Sequence, residues 1–235
     1  MQLFYSKNID SNTSSFVFEK TESRHIVKVL RKQEGDKLHI TNGDGVLLIA
    51  EIVIANDKKC QVNIVESSLI EKPWNYRLHI AVAPTKLNDR MEWFIEKATE
   101  IGIDEITPIL CKHSERKVIK LDRYDKIALS AMKQSLKLHL PIINSAVPFT
   151  DFIKSKPNGD LFIAHCEEQE KKSFKNEIIR NRDITIMIGP EGDFNPKEIE
   201  LALANCFTAV TLGESRLRTE TAALVACHSV AFANE

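Results

Sequence analysis

Two short loops carry the residues of this chain whose types and spacing could do chemistry. The first reads Gly189-Pro190-Glu191-Gly192-Asp193, and the second Leu212-Gly213-Glu214-Ser215-Arg216-Leu217-Arg218-Thr219. Glycines let a ligand come close to the backbone. Arg216 and Arg218 offer planar forks that suit phosphate or carbonyl oxygens, and the bland alternative is surface charge beside a helix start. Glu191 could act as a base, and it could equally brace its loop. Two rival ligand classes fail on detail. A P-loop needs Gly-Lys-Ser or Gly-Lys-Thr, which does not occur, and residues 189–194 do not match GxGxxG. The cysteines Cys60, Cys111, Cys166, Cys206 and Cys227 never form a CxxC pair. No metal site is expected, and the thiols read as free and mainly buried.

Each loop follows a short apolar run and precedes a helical pattern. A short apolar run ending at glycine reads as a buried strand meeting a loop. Ligands of open α/β sheets collect at the carboxyl ends of strands, so the active site is expected there. After the first loop Asn195 can cap a helix, Pro196 suits its first position, and Glu198 completes a capping box. Ile199, Leu201, Ala202, Leu203 and Cys206 then form an apolar stripe. After the second loop Thr219 reads as the cap, with Glu220 favouring the helix dipole.

Upstream the chain divides. Residues 1–70 read as a small β-rich domain with strands at 3–5, 37–41, 46–54 and near 60–65, and a short helix at 22–30. Asn42-Gly43 is a strong hairpin signal. Residues 71–76, with Pro73, form the expected linker, and residues 77–235 alternate strands with helices, the mark of a largely parallel sheet. Strands are expected at 78–83, 105–111 and 161–164, and helices from Asp89, as cap, to Gly102 and over 122–138.

With 43% hydrophobic and 28% charged residues over 235 positions, the composition is that of an ordinary globular protein. No apolar run is long enough to span a bilayer, and residues 1–5 carry no charged leader, so a cytoplasmic location is expected. Net charge is −1, so any affinity for nucleic acid must come from local basic patches. Arg24, Lys28, Arg31, Lys32 and Lys37 form one such cluster, read either as a solvated helix face or as phosphate contacts.

GPEGDF followed by a helix, then LGESRLRTETAALVA, closely resembles the C-terminal signature of the SPOUT methyltransferases. Within them it is most similar to the small-subunit ribosomal RNA methyltransferase E family. RHIVKVLRKQEGDKLHITNGDG is similar to the opening of that family's PUA-like, RNA-binding β-barrel. The resemblance covers nearly the whole chain, strongly from Arg77 onward. It departs from the family at Lys133-Gln134-Ser135-Leu136-Lys137, where a glutamate, a glycine and an arginine are replaced.

The resemblance implies an α/β fold: a PUA-like barrel, then a SPOUT domain whose end is tied in a deep trefoil knot, against the usual rule that chains do not thread loops. It implies a homodimer using S-adenosylmethionine to methylate ring nitrogen 3 of a uridine in the decoding region of 16S ribosomal RNA. Another RNA such as transfer RNA, or a non-catalytic RNA-binding module, is the alternative. Cofactor residues would be Ala164, His165, Ile188, Gly189, Pro190, Glu191, Gly192, Leu212, Gly213, Ser215, Leu217, Arg218 and Thr219. Arg218, Arg216 and Glu191 would serve catalysis. Arg24, Lys28, Arg31 and Lys32, with Lys86, Arg90 and Arg116 further on, would hold RNA.

Overall fold

The computed structural model describes residues 2–235; Met1, one of the residues 1–5 read above for a leader, lies outside the described residues. The described residues form two compact units, one of residues 2–73 with 132–140 and one of 74–131 with 141–235.

The first unit holds β1 (Leu3–Tyr5), β2 (Ser15–Val17), α1 (Lys20–Arg24), β3 (Lys37–Thr41), β4 (Val46–Ile54) and β5 (Gln61–Leu69). They make a five-stranded sheet in the order β1-β3-β4-β5-β2. Strict alternation along β4 buries Val46, Leu48, Ala50 and Ile52 against Phe4, Ile26, Leu38, Ile40 and Val62. α1 continues into a π-helical turn over His25–Val29, where the Leu30 N–H bonds the His25 carbonyl at 2.9 Å. β2 went unread in the sequence because its residues are mostly exposed, so hydrophobicity marks nothing there.

The hairpin between β3 and β4 exists, but it is not the two-residue turn that Asn42-Gly43 suggests. Thr41 faces Leu47, which leaves five residues in the loop. This loop closes around residues 138–140: Gly45 N–H bonds the Leu138 carbonyl (2.9 Å), and Leu140 N–H bonds the Gly43 carbonyl (2.8 Å). Lys133 adds an ion pair to Glu22 at 2.9 Å. Residues 132–140 thus belong with the first unit, although the sequence reading assigned them to the second.

The second unit starts with β6 (Leu78–Val82), α2 (Asn88–Ile101), β7 (Glu105–Leu110) and α3 (Leu121–Gln134), whose end runs into the first unit. β8 (Ile142–Ile143), β9 (Val147–Pro148), α4 (Phe149–Lys154), β10 (Asp160–Ala164), β11 (Lys172–Ser173) and α5 (Phe174–Glu177) follow. β12 (Ile184–Ile188), α6 (Pro196–Ala204), β13 (Thr208–Thr211) and α7 (Thr219–Asn234) complete it. The sheet runs β11-β13-β10-β12-β6-β7-β8, with β9 beside β7, and every pairing is parallel. β6 and β12 are buried throughout, as central strands of such a sheet must be. Phe149, Phe152, Phe194, Ile199 and Phe207 pack on one face, and α7 packs along α2.

Three helix boundaries differ from expectation. α2 is capped by Leu87 without a side-chain bond, and Asp89 lies inside its first turn. α3 stops at Gln134 and not at Leu138, because Leu136 turns to φ 58° and Leu138 serves the first unit. α6 has the expected capping box at Asn195 and Glu198, but only Ile199 and Ala202 of its stripe are buried; Leu201, Leu203 and Cys206 face solvent. Cys60, Cys111 and Cys227 are buried, while Cys166, like Cys206, is exposed. Among the described residues no helix is long and apolar enough to cross a membrane, and no group of three or more His, Cys, Asp or Glu side chains could hold a metal ion.

Candidate active site

The strand order brings three carboxyl ends together. β10 lies between β13 and β12, in a register that sets Ala164 beside Val210 on one side and Ile188 on the other. The loops that leave these strands enclose a cavity of about 310 Å³, in the size range of small-molecule sites. Ala164, His165, Ile188, Gly189, Pro190, Glu191, Leu212, Gly213, Ser215, Arg216, Leu217, Arg218 and Thr219 all line it. Of the cofactor residues expected from the sequence, only Gly192 is outside the lining. Its Cα faces the His113 ring, and His113 Nδ1 lies 3.0 Å from the Gly192 carbonyl and 3.1 Å from that of Asp193.

Sequence reasoning missed Cys166, Asp193, Val210, Thr211 and Ala222, which also line the cavity. Val210 and Thr211 end β13, so the strand-to-loop junction was the signal for them. Asp193 stands in the first loop, but nothing in the sequence marks its bonds: its Oδ2 accepts the Cys166 N–H at 2.7 Å, and its Oδ1 the Phe194 N–H at 2.8 Å, which fastens two loops far apart in sequence.

The loops are tied further by α7. Thr219 does not cap this helix; Arg218 occupies the cap position and makes no side-chain cap bond. Thr219 Oγ1 donates instead to the Gly189 carbonyl, 3.0 Å away and buried. Gly189 itself is packed against Phe194, whose ring a Cβ would meet at 3.1 Å, so its missing side chain serves the loop fold. Gly213 differs: its φ of +135° disfavours any side chain, while the space around its Cα is open.

The charged candidates divide into engaged and unengaged groups. Glu191 Oε1 accepts the Lys86 N–H at 3.0 Å, so Glu191 joins its loop to the one after β6. Arg116 holds the same segment, donating to the carbonyls of Thr85 (3.1 Å) and Lys86 (2.6 Å). The Lys86 ammonium pairs with Glu115 at 2.8 Å, and Arg90 lies 3.7 Å from the buried Glu220. Among the described residues neither Arg216 nor Arg218 has an ion-pair partner, and both are exposed at the cavity. In the first unit Arg24, Lys28 and Arg31 are exposed and Lys32 half-buried.

A parallel α/β unit with a loop-built cavity, preceded by a small β unit, is what the family comparisons recognise. Residues 72–231 match the model of the RNA methyltransferase domain, and residues 18–65 match that of the RNA methyltransferase PUA domain. Fold and site therefore define a PUA-bearing RNA methyltransferase. A ribosomal RNA small subunit methyltransferase E from Rickettsia conorii is 33% identical over 210 residues, 88% of this chain and 85% of its own length. A probable rRNA-methyltransferase from Porphyromonas gingivalis superimposes with a TM-score of 0.91 at 44% identity, covering 98% of each chain. A ribosomal RNA small subunit methyltransferase E from Neisseria gonorrhoeae, bound to S-adenosyl methionine, superimposes with a TM-score of 0.81 at 26% identity, over 97% of this chain and 95% of its own. The chain belongs to the ribosomal RNA small subunit methyltransferase E family.

Proposed function

We propose that this protein methylates N3 of a uridine in the decoding region of 16S ribosomal RNA, with S-adenosylmethionine as cofactor. The cavity at the ends of β10, β12 and β13 carries this reading. Its residues fit that cofactor: Ile188, Val210, Leu212, Leu217 and Ala222 offer apolar walls for an adenine, and the loop backbones offer donors and acceptors for its edges. The buried His165 ring adds a polar group with no hydrogen-bond partner among the described residues. When bound, the cofactor supplies an electrophilic methyl group.

The chain must then make a poor nucleophile react. Uridine N3 attacks only once it has lost its proton, so the site has to stabilise the resulting anion. Arg216 and Arg218, unpaired at the cavity, are proposed to hold the uracil or phosphate oxygens, with Arg218 stabilising the developing charge. Glu191 is the candidate acceptor of the proton, through a carboxylate that also holds the Lys86 N–H. Arg24, Lys28, Arg31 and Lys32 are proposed to grip RNA phosphates, as are Lys86, Arg90 and Arg116 in the second unit. We further read the C-terminal segment as a deep trefoil knot, the assembly as a homodimer and the location as cytoplasmic. Support for these rests on family membership.

Mass analysis of 16S ribosomal RNA from a strain lacking the gene tests the proposal. One uridine should lose a methyl group and regain it on complementation. A methylation pattern identical to that of the parent would refute the activity.

A further inference from the structure

The His165 ring is the polar group of the second unit that the structure leaves least explained. It is 6% exposed, it lines the cavity, and among the described residues neither Nδ1 nor Nε2 has a hydrogen-bond partner. Buried polar groups normally have one, so an orphaned ring in a cavity wall points to a ligand. Its backbone is clamped in place. Lys171 Nζ donates to the His165 carbonyl at 3.1 Å and to that of Glu167 at 2.8 Å, and the next N–H, of Cys166, is held by Asp193.

The charges around this ring are balanced. The cavity lining carries Arg216 and Arg218 against Glu191 and Asp193, so with a neutral imidazole the lining has no net charge. Lys171, from the loop before β11, and Glu167, on the ring's own loop, are the other charged neighbours. Burial first, and Lys171 second, pull the His165 titration below the ordinary histidine value, while Asp193 and Glu167 oppose them. Near neutral pH the ring is therefore an uncharged donor and acceptor.

Cofactor and product differ in one respect that this arrangement can sense. S-adenosylmethionine has a positively charged sulfonium, whereas S-adenosylhomocysteine has a neutral thioether, and their amino and carboxylate groups are the same. We propose that His165 is a specificity-determining contact of this cavity, whose neutral ring admits the sulfonium cofactor and whose protonated ring selects against it in favour of the product. The inference rests on the cofactor reading above. The physical reason is that a positive charge on a ring only 6% exposed is screened less by water, so it repels the sulfonium more than it would in bulk solvent. By linkage, the sulfonium must equally make the ring harder to protonate.

Two measurements on the full chain test this. Calorimetry gives the affinities for S-adenosylmethionine and S-adenosylhomocysteine at pH 7.5 and 5.0, for the wild type and His165→Asn. The preference for cofactor over product should fall in the wild type as the pH drops through the titration of the ring, toward a limit of about tenfold for a one-unit difference in its pKa between the two complexes, and stay level in His165→Asn. Groups shared by the two ligands cancel from this ratio. Proton NMR of the wild-type His165 ring provides a second readout that needs no variant. Saturating S-adenosylmethionine should move its titration to lower pH, by about one unit relative to S-adenosylhomocysteine. An equal fall in the Asn variant, or a ring titration that both ligands shift alike, overturns the role of His165 and leaves the cofactor reading intact. Failure of the wild type to bind either ligand at pH 7.5 overturns both.

Discussion

Thr219 joins the two site loops through one hydroxyl, given to the buried Gly189 carbonyl. Thr219→Val keeps the shape and removes the donor, which leaves that carbonyl unpaired. It should cost about 1–3 kcal/mol in urea unfolding, whereas Thr219→Ser should stay near wild type. Equal losses in both would show that packing of the methyl group, and not the hydrogen bond, is what matters. Arg218 precedes it at the helix cap, without an ion-pair partner among the described residues. If Arg218 stabilises charge that appears only during reaction, its loss falls on the chemical step. Arg218→Ala should then slow single-turnover methylation roughly a hundredfold with near-normal cofactor affinity, and Arg218→Lys should restore only part of the rate. A full-speed Ala variant would remove Arg218 from catalysis; weakened cofactor binding with a lower melting temperature would make it a loop pin.

Opposite the site, the amino ends of β6 and β7 hold a polar network under the sheet. Arg77 pairs with Glu105, whose Oε1 accepts from Asn144 Nδ2 at 2.6 Å. Asn144 also donates to Thr107 Oγ1 (2.7 Å), which lies 2.7 Å from His79 Nε2, and His79 Nδ1 is 3.5 Å from Glu105 Oε2. This chain of donors lets Thr107 give its proton to Nε2 and leaves the His79 proton on Nδ1, facing the carboxylate. Burial dominates and lowers His79 to about 4, with Glu105 opposing and Arg77 assisting. Between pH 6.5 and 4 the unfolded chain therefore binds the proton and the folded one does not. The neutral histidine's contribution is whole above 6.5 and is lost as pH falls toward 4, about 2 kcal/mol of it by pH 5. Urea unfolding at pH 7.5 and 5.0 should show that loss in the wild type and a smaller one in His79→Asn. The same pH slope in both proteins would place the acid sensitivity elsewhere.

For the whole molecule, net charge is −1, so long-range attraction to RNA cannot come from bulk charge. The first unit concentrates Arg24 and Lys28 one helical turn apart, with Arg31 just beyond, all exposed. Replacing these three by alanine should weaken RNA binding, flatten its dependence on salt and leave cofactor affinity unchanged. Unaltered RNA affinity would mean that the β unit does not grip through these phosphate contacts.

Much of this was legible in the chain itself. The strand at 46–54, the short and mainly apolar runs of β6 and β12, and the capping box at Asn195 rest on local patterns, set by neighbours in sequence, and all appear as expected. The two glycine loops also supply much of the cavity lining, while Cys166, Asp193, Val210, Thr211 and Ala222 join it without having been expected there. Other features depended on which distant segments meet. Asn42-Gly43 has the chemistry of a two-residue turn, yet the loop opens to five residues because residues 138–140 supply its hydrogen bonds, and that same demand ends α3 early. Thr219 looks like a cap but finds a better acceptor in Gly189, thirty residues earlier. Most decisive is the strand order: β10 lies between β13 and β12, so His165 and Cys166 enter a site whose other loops come later in the chain. Hydrophobic period reports that a strand is buried, not which strands flank it. Local sequence therefore determined the longer elements and much of the lining, but not the short ones such as β2, β8 and β9, while the non-sequential parallel pairing decided that three loops close on one cavity and left a buried histidine facing into it.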